Sequence, residues 1–205
     1  MALDGTSTGL SATIAEWLDD ATLSASIPDF IALAESRLNR LISTFGQEAR
    51  ADAVLNGEYL ALPVDINGIR SICLLGSPNV VLGQMPPEDM REMYGSASSG
   101  KPVAYAITAG LLQFAPVPNS AYPIEIVYLR DIPPLATNTT NWLLTDHPDC
   151  YLYGALMSAE MRGWNDSRLP MLKAAFDSTI KEINDNGEQL KWGAAPLFPR
   201  IKRFA

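Results

Sequence analysis

His147 is the single histidine of the chain, so any histidine-based triad or dyad has to be built on it. It stands between Asp146 and Pro148, at what reads as a helix entrance, where capping explains the local residue types without catalysis. No nucleophile and no set of metal ligands accompanies it at a usable spacing. Gly95-Ser96-Ala97-Ser98-Ser99-Gly100-Lys101 carries most of the phosphate-loop pattern, in which glycines let backbone N–H groups cradle phosphates and the lysine reaches the terminal one. Pro102 takes the place of the Ser or Thr that would bind magnesium, and the loop leads from a short helix into a strand, the reverse of a phosphate loop. A flexible Gly/Ser loop is the expected reading. Two carboxylates could cleave a glycosidic bond, but 23 acidic residues make chance pairs easy to find, and nothing around Asp19, Asp20, Glu35 or Glu160 singles them out. Cys73 and Cys150 lie far apart, match no metal or redox spacing and read as small buried hydrophobes. The residue types therefore predict no catalytic residue, no cofactor and no metal. Asn138-Thr139-Thr140 and Asn165-Asp166-Ser167 fit the glycosylation pattern but read as loop and cap chemistry.

Composition bounds the rest. A chain of 205 residues is long enough for one well-buried core plus an inserted subdomain. Hydrophobic residues make up 47% and charged residues 19%, so a share of the apolar surface is expected against partners, in an oligomer. A net charge of -8 argues against holding nucleic acid by phosphate neutralisation. An acidic wall would still let DNA slide past. Met1-Ala2-Leu3-Asp4-Gly5 lacks a basic start and an apolar core, and no window is long and apolar enough to span a membrane, so folding in a cytoplasm is expected.

The two ends read as helical and the middle as strand. Leu10, Ile14, Trp17, Leu18 and Ala21 recur at helical spacing. A second helix starts with Ser26 and Asp29 in a capping-box-like pattern and Pro28 in its first turn; Ile27, Phe30, Ile31, Ala34, Leu38, Leu41 and Phe45 form its apolar face and Gly46 its stop. Arg37 and Arg40 fall off that stripe and are expected to face solvent or a neighbouring subunit. Asn56-Gly57 predicts a hairpin between Ala53-Val54-Leu55 and Tyr59-Leu60-Ala61-Leu62. Further strands are predicted over Ile69–Leu75, Val80–Gln84, Val103–Thr108, Leu111–Ala115 and Ile124–Leu129, with a short helix over Pro87–Tyr94. Pro63, Pro102, Pro116, Pro118, Pro123, Pro133 and Pro134 are placed at strand ends. A third long helix begins near Asp146, with a face through Cys150, Tyr153, Met157, Met161 and Trp164. Asn165 or Asp166 caps a fourth, with the stripe Leu169, Leu172, Phe176, Ile180 and Ile183 and an end near Asn186-Gly187.

No such helix can bury its stripe alone. The expected fold is α+β: a four-helix bundle made by the helix pairs of residues 1–48 and 141–187, an inserted antiparallel β-rich subdomain over 49–140, and an extended C-terminal arm over 188–205. The arm is too irregular for a helix and too apolar for an ordinary free end. Trp192, Leu197, Phe198, Arg200, Ile201, Lys202, Arg203 and Phe204 are its expected partner-binding residues, the basic ones meeting acidic partner surface and the apolar ones filling pockets.

Several blocks in fixed order carry a resemblance. They are Leu62-Pro63-Val64-Asp65 followed by Ile69-Arg70, Gly100-Lys101-Pro102 with Tyr105, Leu112-Gln113-Phe114-Ala115-Pro116-Val117-Pro118, and Ile126-Val127-Tyr128 leading to Ile132-Pro133-Pro134-Leu135. Asn141-Trp142-Leu143-Leu144 and Pro148-Asp149-Cys150-Tyr151-Leu152-Tyr153-Gly154-Ala155-Leu156 complete the set, with Cys150 where the pattern usually has a larger apolar residue. In these blocks the chain resembles the head-to-tail adaptor (connector) proteins of tailed bacteriophages. The resemblance implies a structural virion protein, assembled in the host cytoplasm and placed at the head–tail junction as a twelve-fold ring. It implies portal protein above, reached by the C-terminal arm, and tail nozzle or tube proteins docking below. Genomic DNA would pass through the channel without specific binding, and no membrane is involved. Removing the residues after Gly187 is expected to leave a folded protein that no longer joins portal rings. Two other classes stand beside this one: a phage tail-associated cell-wall hydrolase and an unrelated cytoplasmic binding module.

Overall fold

Apolar residues at helical spacing near both ends of the chain fold into helices that share one core. The computed structural model describes residues 4–20, 22–95, 98–163 and 167–192. Two units divide it: Gln47–Asp131 forms one, and the chain on either side of that stretch forms the other. The fold is α+β, with six helices and mainly antiparallel sheets among the described residues.

The first helix, α1 (Ser7–Leu18), starts where the Thr6 hydroxyl accepts the Gly9 N–H at 3.0 Å. Leu10 and Ile14 are buried, whereas Trp17 is exposed, off the predicted stripe; Ala21 lies outside the described residues. Helix α2 (Ile27–Leu41) has Pro28 and Asp29 in its first turn as predicted, but Ser26 makes no capping bond. Ser26 sits in a 3-10 turn, and its hydroxyl instead accepts from Arg162 Nη1 at 2.8 Å. Ile27, Phe30, Ile31, Ala34 and Leu38 are buried. The helix stops before Gly46 because Ile42 turns extended; Leu41, its last residue, is exposed, and Phe45 begins a separate 3-10 turn. Arg40 is exposed as expected. Arg37 is half-buried instead: its guanidinium lies 5.1 Å over the Phe176 ring of the same subunit.

The inserted unit contains β1 (Glu48–Leu55), β2 (Tyr59–Ala61), β3 (Ile66–Leu74), β4 (Val80–Val81), β5 (Gly83–Gln84), α3 (Pro87–Tyr94), β6 (Ser99–Gly100), β7 (Ala104–Thr108), β8 (Leu111–Ala115), β9 (Val117–Pro118) and β10 (Tyr122–Arg130). One sheet has the order β1-β10-β3-β4, a second β2-β8-β7-β5, and β6 pairs with β9. Alternation directs Ile124, Ile126 and Tyr128 of β10, with Ile72 and Leu74 of β3, into a core they share with Tyr105, Leu112 and Phe114 of the second sheet. On the other face of the first sheet Arg50 pairs with Glu125 at 2.7 Å and Arg70 with Glu48. Exposed pairs of this kind contribute roughly 0–1 kcal/mol each, so burial holds the unit together.

Asn56-Gly57 does not make the predicted hairpin. It carries the chain from β1, which pairs with β10, to β2, which pairs with β8 in the other sheet. Pairing with β10 engages all eight residues of β1, more than three-residue β2 offers, and that tertiary gain outweighs the turn preference. The tight hairpin joins β7 to β8, where Ala109 (φ 50°) and Gly110 (φ 77°) both take the positive φ of the favoured turn. Val80–Gln84 is not one strand either: Val80–Val81 pairs with β3, buried Leu82 crosses the core, and Gly83–Gln84 pairs with β7. Pro123 falls inside β10 rather than at its end, opposite Val54.

The return to the helical unit divides at His147. Asn141 caps a short helix, α4 (Trp142–Asp146), and Pro148 opens α5 (Pro148–Gly163), so the expected single start near Asp146 becomes two helices. Proline disfavours helical backbone in the residue before it, and His147 leaves the helical region (φ -138°, ψ 63°). Helix α5 packs against α1 and α2, and against α6 (Leu169–Trp192). Burial therefore wraps around it, taking in Cys150, Tyr151, Leu152, Ala155, Leu156, Met157 and Ala159. From the predicted face, Tyr153 is half-buried, Met161 is 63% exposed and Trp164 lies outside the described residues. Leu172, Phe176, Ile180 and Ile183 of α6 are buried as expected; Asn165 and Asp166 lie outside the described residues. Gly187 is not a stop. Helix α6 continues through it, and a Cβ there would come within 2.9 Å of the Thr44 Cβ, so the glycine permits close packing.

Candidate functional site

Three buried polar side chains organise the helical unit. Asn141 accepts the Leu144 N–H at 2.8 Å as the cap of α4, while its Nδ2 donates to the Pro133 carbonyl at 2.8 Å and to the Tyr151 hydroxyl at 2.7 Å. The Tyr151 hydroxyl donates to Glu35 Oε1 at 3.5 Å, and the same oxygen accepts the Leu135 N–H at 2.7 Å. One turn further along α2, Asn39 Oδ1 accepts the Ile132 N–H at 2.8 Å. Glu35 and Asn39, four residues apart on one face, thus hold residues 132–135 where the chain returns from the inserted unit. Burial pushes the Glu35 carboxyl above its ordinary range, and the hydrogen bonds from Leu135 and Tyr151 oppose it. Burial also raises the Tyr151 hydroxyl and the Cys150 thiol far above theirs, so both stay protonated donors at neutral pH. The thiol donates to the His147 carbonyl at 2.9 Å.

Beside this hub lies a groove of about 280 Å³, lined by Ser7, Thr8, Ser11, Pro28, Ile31, Ala32, Glu35, Leu135 and Ala136. A two-carboxylate glycosidase mechanism needs a second acid, and Glu35 is the one carboxylate in that lining. In the inserted unit a groove of about 500 Å³ runs between α3 and the second sheet, with Glu58, Tyr59, Arg91 and Gln113 as its polar residues. Gln113 Nε2 donates to Glu58 Oε1 at 2.8 Å.

The residues weighed for chemistry take structural roles. His147 is half-buried between two helices. Gly95 closes α3 at φ 61°, and Ser99–Gly100 pairs with β9 instead of opening a helix; Ser96 and Ala97 lie outside the described residues. Asp19 closes α1 at φ 48°, and Asp20 accepts the Thr22 N–H and hydroxyl. Glu160 is buried against Arg168 at 3.1 Å. Cys73 is half-buried and Cys150 fully buried. Among the described residues no group of three or more His, Cys, Asp or Glu gathers as a metal site, and no helix is long and apolar enough to cross a membrane. Of the predicted arm residues, Trp192 ends α6; the other seven, from Leu197 to Phe204, lie outside the described residues.

Glu35 was not singled out by sequence, although a carboxylate between the buried Ile31, Ala34 and Leu38 positions was a usable signal. Its raised titration has a testable sign. Between the ordinary carboxylate value and the raised native one, the native state holds a proton that the unfolded state has lost, so stability falls as pH rises through that interval. Glu35→Gln keeps the acceptor for Leu135 and removes the buried charge. The variant is expected to match the parent near about pH 4 and exceed it near about pH 7, as read from urea midpoints.

A helical unit closed by a hydrogen-bonded return segment, with a β-rich unit inserted in its sequence, defines an α+β protein. The family model described as SU10 adaptor protein matches residues 6–200, and the chain belongs to that family of phage head-to-tail adaptors. This is the class that the sequence blocks resemble. No curated protein matches the chain.

Proposed function

We propose that this adaptor is a non-enzymatic virion component at the head–tail junction that binds beneath the portal ring, extends the DNA channel and gives tail proteins their docking platform. The family match across both units is the observation that carries this reading. Helices α1, α2, α5 and α6 act as a four-helix body, and the β-rich unit is inserted in its sequence between α2 and α5. Copies of that body, presenting exposed Leu33, Met161 and Met171 to their neighbours, close a twelve-fold ring assembled in the host cytoplasm. The acidic chain lets genomic DNA pass without specific binding. The segment beyond α6 is the portal arm: Arg200, Lys202 and Arg203 meet acidic surface, and Leu197, Phe198, Ile201 and Phe204 fill apolar pockets, while Trp192 anchors its start. Binding then proceeds in order, because a filled portal presents the first site and the completed ring creates the next one for the tail.

Because α6 is helical to Trp192, the informative truncation removes residues 193–205. The shortened chain is expected to keep its far-ultraviolet spectrum and melting temperature yet fail to associate with purified portal rings in pull-down and negative-stain images. Undiminished portal binding by the truncated chain would refute the arm assignment. Failure of the full-length chain to bind portal would refute the adaptor placement itself.

A further inference from the structure

The edge of the first sheet carries a pattern that matches itself. Strand β1 is the end strand of the order β1-β10-β3-β4, and all eight of its residues pair with β10 in continuous register. The other edge strands among the described residues are two or three residues long. On the side away from β10 an antiparallel strand directs every second residue's N–H and C=O outward. None of these makes a backbone hydrogen bond among the described residues. Of the devices that usually blunt such an edge, β1 lacks a proline, a bulge and an inward-pointing charge, and carries charge only on its outward face.

Its two faces differ. Ala49, Ala51 and Ala53 point inward beside Tyr128, Ile126 and Ile124 and are only half-buried, so the core stays open at this margin. Glu48, Arg50, Asp52 and Val54 point outward. Arg50 touches Glu125 at 2.7 Å and Asp52 at 3.6 Å, yet the Arg50 and Asp52 side chains remain 61% and 64% exposed.

We propose that β1 pairs antiparallel with β1 of a second copy, centred on Ala51, so that two four-stranded sheets become one of eight strands. A two-fold axis perpendicular to the sheet keeps like faces together, which restricts the register to those centred on a residue. Centring on Arg50 sets that arginine against itself and Glu48 against Asp52. Centring on Asp52 sets that aspartate against itself. Centring on Ala49 preserves a charge match but engages only three residues of each strand. Centring on Ala51 overlaps residues 48–54 and places Arg50 of each copy opposite Asp52 of the other, twice by symmetry. On the inner face alanine meets alanine, so the strands approach without a clash and the two apolar cores meet edge to edge. The occupant is therefore a second copy of this chain in the free protein; a two-fold pairing has no place between neighbours of a cyclic ring and opens before copies enter one, so the inference does not rest on the portal reading.

Sedimentation of the full-length protein tests it. The parent is expected to be a reversible dimer. Arg50→Asp alone and Asp52→Arg alone put like charges opposite each other at two places, and each is expected to weaken dimerisation roughly tenfold or more. The double variant Arg50→Asp/Asp52→Arg restores both pairs and is expected to recover the parent affinity. Register is read separately: on oxidation Ala51→Cys cross-links to its own copy, whereas Ala49→Cys, opposite Ala53, does not, with the parent chain as control for Cys73 and Cys150. Circular dichroism identifies any variant that fails to fold, and the charge series and the cysteine pair do not share substitutions. A parent that is monomeric at every concentration, a dimer indifferent to the single reversals, a double variant without rescue, or cross-linking favoured at position 49 would each overturn the proposal.

Discussion

Alanine at position 176 is expected to lower the stability of the helical unit by about 3–5 kcal/mol, measured as a fall in the urea midpoint at unchanged slope. Phe176 is fully buried on α6. Its ring edge fits the space left by Gly154 of α5, where a Cβ would lie 3.1 Å from the ring, and Arg37 of α2 covers its face at 5.1 Å. Three helices thus close around one side chain. Truncation removes the transfer energy of the ring and leaves a cavity whose walls belong to different helices and cannot collapse together. A protein of this size holds roughly 5–15 kcal/mol in total, so the loss is a large fraction of it. Arg37→Ala separates the parts: it leaves the ring in place, removes the guanidinium above it together with its stem, and is expected to cost about 1 kcal/mol.

Asn141→Ala is expected to cost about 2–4 kcal/mol. The helix cap alone contributes about 0.5–2 kcal/mol. The remainder comes from the Pro133 carbonyl and the Tyr151 hydroxyl, each of which loses a buried partner at about 1–3 kcal/mol, with less than full additivity because the bonds share one hub. Asn141→Ser retains a capping oxygen but cannot reach both groups, and is expected to fall between alanine and the parent. Amide hydrogen exchange locates the effect. Leu144 and Leu135 should lose protection in the alanine variant, the first through the cap and the second through Tyr151 and Glu35, while the amides of β10 stay protected.

The elements with their own periodicity were legible in the sequence. The Pro87–Tyr94 helix, the stripe Leu172, Phe176, Ile180 and Ile183, and the alternation through Ile124 and Ile126 each declare themselves locally, because one face of each is buried and the other is not. Choices that depend on a distant partner were not legible. Asn56-Gly57 has the chemistry of a hairpin turn, but β10 competes for β1 over eight residues. Helix α5 defeats a single-stripe reading because three helices bury it from several sides. Gly187 looked like an end because the signal for a stop and the signal for a close approach are the same residue. The hub was half visible: Asn141 and Tyr151 fall in blocks that carry the resemblance, yet the Glu35 that completes it is far away in sequence and joins only through Leu135 and Tyr151.

The chain leaves the helical unit after Gly46 and re-enters it at Ile132. On a ribosome, α1 and α2 therefore emerge long before the helix that must cover Phe30, Ile31 and Leu38. At about 5–20 residues per second, synthesis of the intervening stretch takes on the order of ten seconds, during which the β-rich unit can finish folding while the first two helices wait with a bare apolar face. Nascent chains stalled just before Pro148 should accordingly recruit holdase chaperones, and those released after α6 should shed them.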